Sequence, residues 1–188
     1  MDSLRLLFFL FLLLLFGECV NTSSEFTGEF ERTTVKQNSV FAIPKEIKVN
    51  VLQQFPGVEI IKEEAYSDLF WGFYDATIIP NECFTDVNND QIMDYALLIK
   101  QKNKLKVVIV LSVNKGYSYW ISPFSIETIN AKGVNFCVNI KPAGRTDVVK
   151  KKPESLVIKK NGFLIKNLEQ DYMVLYESDG KIMTFKMI

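Results

Sequence analysis

The sequence predicts a domain built mostly of antiparallel sheet with one or two short helices, α+β to mainly β in class. Three observations carry this. Tyr95–Lys100 and Lys106–Val113 are apolar, β-branched runs joined by the polar Gln101-Lys102-Asn103-Lys104, the pattern of a hairpin. Asn161-Gly162 and Ser178-Asp179-Gly180 each sit between apolar runs, where such residues supply the positive φ of tight turns. Helical spacing is clear in a single stretch, where Ile47, Val51 and Phe55 recur four apart.

From the N-terminus, Arg5 precedes an unbroken apolar run of 11 residues, Leu6 to Phe16. A membrane-spanning helix needs about 20 residues, so the run fits the apolar core of a secretory signal peptide. Residues 1–19 are read as that signal, cut after Cys19, with a cut after Gly17 as the alternative. Lipid anchoring through Cys19 is a rival reading, and the large, charged Glu18 before the cysteine argues against it. The chain is therefore expected to be exported, to a periplasm or to the extracellular space.

Residues 20–40 are polar and read as a loose lead-in, with Asn21-Thr22-Ser23 matching the glycosylation pattern. Residues 41–188 read as one domain, since nothing in them is repetitive or linker-like. A strand is expected near Val40–Ile43. Pro44 then suits the first turn of a helix over 44–54, which Pro56-Gly57 ends. Val58–Ala65 reads as a strand. After the Tyr95–Val113 hairpin, Tyr117–Ser122 and Val134–Ile140 read as strands, and residues 141–154 as a loop. Leu156–Lys159 and Phe163–Lys166 are expected to pair about Asn161-Gly162, and Tyr172–Glu177 and Lys181–Met187 about Asp179-Gly180, giving a meander.

Composition removes several function classes. Without residues 1–19 the chain holds 21 basic and 20 acidic side chains, a balance that gives no pull toward nucleic acid or an anionic membrane. No histidine occurs, which excludes Ser-His-Asp and Cys-His catalysis and His-ligated zinc. Cys83 and Cys137 remain after cleavage; an even pair in an exported chain reads as one disulfide, with two separate buried thiols as the alternative. Such a bridge would contribute roughly 4 kcal/mol by loop-closure entropy.

The motif with chemistry in it is Asp86-Val87-Asn88-Asn89-Asp90-Gln91-Ile92-Met93-Asp94. It places oxygen side chains at positions 1, 3, 5 and 9 of a short loop, and calcium takes six to eight such oxygens. Asp86, Asn88 and Asp90 would supply side chains, Ile92 its carbonyl, and Asp94 would close the loop directly or through water. Three carboxylates in nine residues repel unless a cation or solvent relieves them. Leu97 at position 12 and the strand that follows exclude an EF-hand, and Gln91 replaces the usual glycine at position 6. An Asp/Asn-rich turn without an ion is the alternative.

Cys83-Phe84-Thr85-Asp86 through Asp94-Tyr95-Ala96-Leu97-Leu98 resembles the acidic calcium loop of FG-GAP/VCBS-like exported proteins, which leads directly into a strand. The resemblance implies the ligands Asp86, Asn88, Asp90 and Asp94. It implies neither a full propeller, which needs several blades, nor an enzymatic activity.

Two further clusters bear on function. Leu69-Phe70-Trp71-Gly72-Phe73-Tyr74 is either a glycan- or protein-binding platform built on Trp71, Phe73 and Tyr74, or core packing in a strand before the acidic loop. The acidic residues Glu63, Glu64, Asp68, Asp75 and Glu82 are the candidates for a carboxylate-based extracellular hydrolase. Lys150-Lys151-Lys152 reads as a solvated loop. The reading that results is an exported domain with a structural calcium ion, binding a protein or glycan partner or sitting in an envelope assembly, without catalysis; the hydrolase is the alternative.

Overall fold

Two neighbouring strands with no polar face determine this fold, because a strand apolar on both sides must be covered on both sides. The computed structural model describes residues 42–75, 78–129, 133–148 and 154–187. The expected signal at 1–19, Cys19 with it, the lead-in at 20–40 and the lysine run at 150–152 lie outside them. In chain order come α1 (Lys45–Gln54), β1 (Val58–Ile60), a 3-10 turn (Glu63–Ala65) and α2 (Asp68–Phe73). Then follow β2 (Glu82–Thr85), β3 (Asp94–Gln101), β4 (Lys104–Val113), β5 (Gly116–Ile121) and β6 (Glu127–Thr128). The last are β7 (Phe136–Lys141), β8 (Gly144–Val148), β9 (Glu154–Ile158), β10 (Gly162–Asn167), β11 (Gln170–Ser178) and β12 (Lys181–Lys186).

The strands form two sheets and a ribbon, all antiparallel. The first sheet runs β1-β3-β4-β5, with β2 also on β3 and β6 on β4. The second runs β12-β11-β10-β7, and β8 pairs β9 apart from both. The β-rich expectation holds, with two short helices. Among the described residues no helix is long and apolar enough to cross a membrane.

β3 and β4 lie at the centre of the first sheet. Tyr95, Leu97 and Ile99 share one face with Val108 and Val110, and Ile43, Ile47 and Val51 cover it. Ala96, Leu98, Val107, Ile109 and Leu111 share the other face and pack with Phe163, Ile165, Met173 and Leu175 of the second sheet. This double burial explains why both strands read as continuous apolar runs. Each fully buried aliphatic or aromatic side chain there contributes roughly 1.5–3 kcal/mol.

α1 starts where expected. Pro44 is its extended N-cap, and the Pro44 carbonyl accepts Ile47 N–H at 3.1 Å and Lys48 N–H at 3.3 Å. Glu46 in the first turn suits the positive end of the helix. Glu82, 5% exposed, fastens this end to the first sheet by accepting Ile43 N–H at 3.1 Å and pairing with Lys48 at 2.7 Å.

Several local expectations are corrected. The strand over Val58–Ala65 stops at Ile60, where the chain turns into the 3-10 segment. Residues 68–73 are a helix and not a strand. Ser67 caps it, its Oγ accepting Phe70 N–H at 3.0 Å, with Asp68 in the first turn. The expected loop over 141–154 contains β8. Asn161-Gly162 makes no hairpin, since β9 pairs β8 while β10 lies between β7 and β11. Gly162 is there for close packing, because a Cβ on it would lie 2.7 Å from the Leu175 carbonyl oxygen. The true β10–β11 turn puts Leu168, and not the neighbouring Asn167, at positive φ, 52. By contrast Asp179 and Gly180, at φ 52 and 74, turn β11 into β12 as read from sequence.

Candidate functional site

The acidic loop lies between β2 and β3, and its own side chains hold its shape. Asp86 accepts Asn89 N–H at 2.6 Å on Oδ1 and Gln91 N–H at 2.9 Å on Oδ2. Asn88 Oδ1 accepts Asp90 N–H at 3.1 Å, and Asp90 Oδ1 accepts Ile92 N–H at 2.9 Å. Each short side chain thus caps backbone just ahead of it, as Asx turns do. Asn89 and Gln91 sit at φ 63 and 69, the left-handed region. For Gln91, standing where a glycine is usual, that conformation costs on the order of 1–3 kcal/mol.

Asp94 faces inward. It is fully buried and accepts Val87 N–H at 2.7 Å, Ser112 N–H at 2.7 Å and the Ser112 hydroxyl at 2.8 Å. It therefore ties the start of the loop to the end of β4. Burial pushes its carboxyl up from the ordinary aspartate range, and hydrogen bonds from Ser112 and Val87 oppose that. Asp90 is held below its ordinary range, chiefly by the Ser112 hydroxyl.

Ser112 is the residue that sequence reasoning missed. Its Oγ lies 2.7 Å from Asp90 Oδ2 and 2.8 Å from Asp94 Oδ1, and it accepts Asn88 Nδ2–H at 3.1 Å. Its carbonyl also accepts Asn88 Nδ2–H, at 2.9 Å. A hydroxyl has one hydrogen to give, yet two carboxylate oxygens lie within bonding distance of it. Each of those oxygens also has a nitrogen donor, Asn88 Nδ2 at 3.2 Å for Asp90 and the Ser112 N–H at 2.7 Å for Asp94, so two carboxylates crowd on one hydroxyl. No sequence signal marks Ser112, which sits in a strand 18 positions beyond Asp94.

A second tether comes from the other sheet. Lys160 Nζ donates to the Asn88 carbonyl at 3.0 Å and pairs with Glu177 of β11 at 2.7 Å. Asn161 Nδ2 donates to Thr85 Oγ1 at 2.9 Å. Burial raises the Glu177 carboxyl, but bonds from Lys160 and Gly180 N–H outweigh it, and the group ends below its ordinary range. The sign follows. The stability this group contributes is present above its ordinary value of about 4.3 and is lost as pH falls through the depressed one. Glu177→Gln should flatten the acid limb of a stability–pH curve, measured by urea unfolding between pH 3 and 6; an unchanged limb would remove Glu177 from the account.

The donor set of the loop is all oxygen: Asp86, Asn88 and Asp90 side chains with the Ile92 carbonyl, the hard ligands calcium takes. Among the described residues no three acidic or thiol side chains form a metal-holding group, and Asp94 is spent on backbone donors. By residue type the loop could hold an ion only with mixed carboxylate, amide and carbonyl oxygens, and both Asp86 oxygens, Asn88 Oδ1 and Asp90 Oδ1 also accept backbone N–H groups here.

The remaining candidates are dispersed. Trp71 packs edge-on to Phe70 at 5.2 Å, and Tyr74 stacks on Phe70 at 4.5 Å and donates its hydroxyl to the Leu168 carbonyl. Phe73 alone of the three stands out, 49% exposed beside Leu69 on α2. No single aromatic platform results. Cys83 and Cys137 are free thiols, which corrects the expected disulfide. They lie on β2 and β7, strands of different sheets that pack against each other, and the Cys137 thiol is engaged with the Tyr74 hydroxyl at 3.9 Å and Asn139 Nδ2 at 3.7 Å. Burial pushes both thiols up, so neither is a ready nucleophile. Of the hydrolase carboxylates, Glu82 is bound to Lys48 and Ile43, while Glu63, Glu64, Asp68 and Asp75 are exposed on or beside the 3-10 turn and α2.

The fold and site define a class: a β-rich domain of two packed antiparallel sheets with a helix over one, carrying a self-capped acidic loop at the sheet end. No protein family, curated protein or solved structure matches this chain.

Proposed function

We propose that the protein is an exported binding domain, acting without catalysis, whose Asp86–Asp94 loop is riveted by a structural calcium ion. The observation that supports the ion is the crowding of two carboxylates, Asp90 and Asp94, on the single Ser112 hydroxyl. A cation near Asp86, Asn88, Asp90 and the Ile92 carbonyl would offset the repulsion among these carboxylates, with Asp94 holding the loop to β4. When bound, the ion contributes charge neutralisation and loop order. The D-x-N-x-D spacing that carries the resemblance to FG-GAP/VCBS-like proteins supports the same reading, and the Leu6–Phe16 run supports export.

The test is a thermal melt with calcium and then with chelator. An ion binding the folded state at 100 times its dissociation constant adds about 2.7 kcal/mol, a rise of several degrees for a domain this size. The rise should vanish in Asp86→Ala/Asp90→Ala. No shift at millimolar calcium would reduce the loop to a self-capped turn.

A further inference from the structure

We infer that the free edge of β5 accepts an extended segment of a partner protein as an added strand. The inference rests on the binding reading above and not on calcium. A sheet edge presents unpaired backbone N–H and C=O groups, and proteins guard such edges with charge, proline, bulges or shortness. The other edges here carry guards. β1 has three residues and holds Glu59, paired with Lys100 at 3.3 Å. β2 has four residues and β6 has two. β12 begins and ends with lysine, at Lys181 and Lys186. β7 gives Val138 N–H to the Pro80 carbonyl at 2.9 Å. The β8–β9 ribbon carries Arg145, Asp147 and Glu154.

β5 reads Gly116-Tyr117-Ser118-Tyr119-Trp120-Ile121, with no charge, no proline and an unbroken register on β4. Among the described residues β4 is its one strand partner. A row of backbone donors and acceptors is matched by another extended backbone, so the edge itself selects a strand. Beside it opens a groove of about 390 Å³, walled by Leu111, Ser118 and Trp120 and, across from them, by Gly180, Lys181 and Ile182. Ser118 and Trp120 point to the second-sheet side, opposite Leu111 and Ile109. Alternate side chains of an added strand fall on that same side, so one of them enters the groove against Trp120, with exposed Lys181 on its wall. The segment that fits is extended, apolar at the groove position and acidic nearby.

The probe is a phage-displayed library of random peptides panned on the whole protein, followed by amide exchange with the strongest binder. Enriched peptides should be apolar and acidic, and exchange at Tyr117, Tyr119 and Ile121, whose N–H groups face away from β4, should slow about tenfold or more. Ser118→Glu, which sets a negative charge against an acidic segment, should abolish binding without moving the melting temperature; Tyr117→Pro, which removes an N–H facing away from β4, should also abolish it if it folds. The inference is overturned by no enrichment, by protection at another strand, or by Tyr117, Tyr119 and Ile121 amides already protected in the protein alone, whether it sediments as a dimer or a monomer. A failed panning alongside a positive calcium shift overturns the docking edge alone.

Discussion

Asp94→Ala should lose roughly 3–5 kcal/mol of stability, because it strands the buried Val87 and Ser112 N–H groups at about 1–3 kcal/mol each and also breaks the Ser112 hydroxyl contact. Urea unfolding with chelator present isolates this loss from any calcium effect. Asp94→Asn should fall between, since one carboxylate oxygen is kept while an amide N–H₂ now faces an N–H donor. Ser112→Ala removes only the hydroxyl and relieves the shared contact with Asp90, so about 1 kcal/mol is expected. The losses should therefore rank Asp94→Ala above Asp94→Asn, and Asp94→Asn above Ser112→Ala. A loss under about 1 kcal/mol for Asp94→Ala would mean that the loop is not anchored through this carboxylate.

The second large effect is at Phe70. It is fully buried and meets Tyr66 at 4.5 Å, Trp71 at 5.2 Å and Tyr74 at 4.5 Å between ring centres. A six-residue helix does not stand by itself in water, so α2 is held by this ring and by the Ser67 cap. Phe70→Ala should cost about 3–5 kcal/mol and shift Trp71 emission to the red as the cluster opens. Phe73→Ala, at a half-exposed position on the same helix, should stay within about 0.5 kcal/mol of the parent. Equal losses at the two positions would mean that the cluster does not anchor α2.

Legibility from sequence followed the range of the interaction. The β3–β4 hairpin, the β11–β12 turn at Asp179-Gly180 and α1 with its Ile47–Val51 face were all readable, because each is specified by residues close in sequence. The aromatic run Leu69–Tyr74 reads as a strand by propensity, whereas the Ser67 cap makes it a helix. The acidic loop was also legible, as spacing. Which way each oxygen points was not.

Those outcomes belong to tertiary structure. Asn161-Gly162 carries a strong local hairpin signal, yet the second sheet takes Gly162 as a strand residue because the Leu175 carbonyl passes too close for any side chain. Asn161 is drawn off to Thr85 and Ala143 N–H. Asp94 turns inward because Ser112, far along the chain, brings it an N–H and a hydroxyl. Periodicity and turn chemistry act over a few residues, and they made β3, β4, β11, β12, the first helix and the acidic loop readable, but not β2, β6 or β8. Only the packing of two sheets decided partners, edges and carboxylate orientation, since buried polar groups take whichever donors the fold brings within reach.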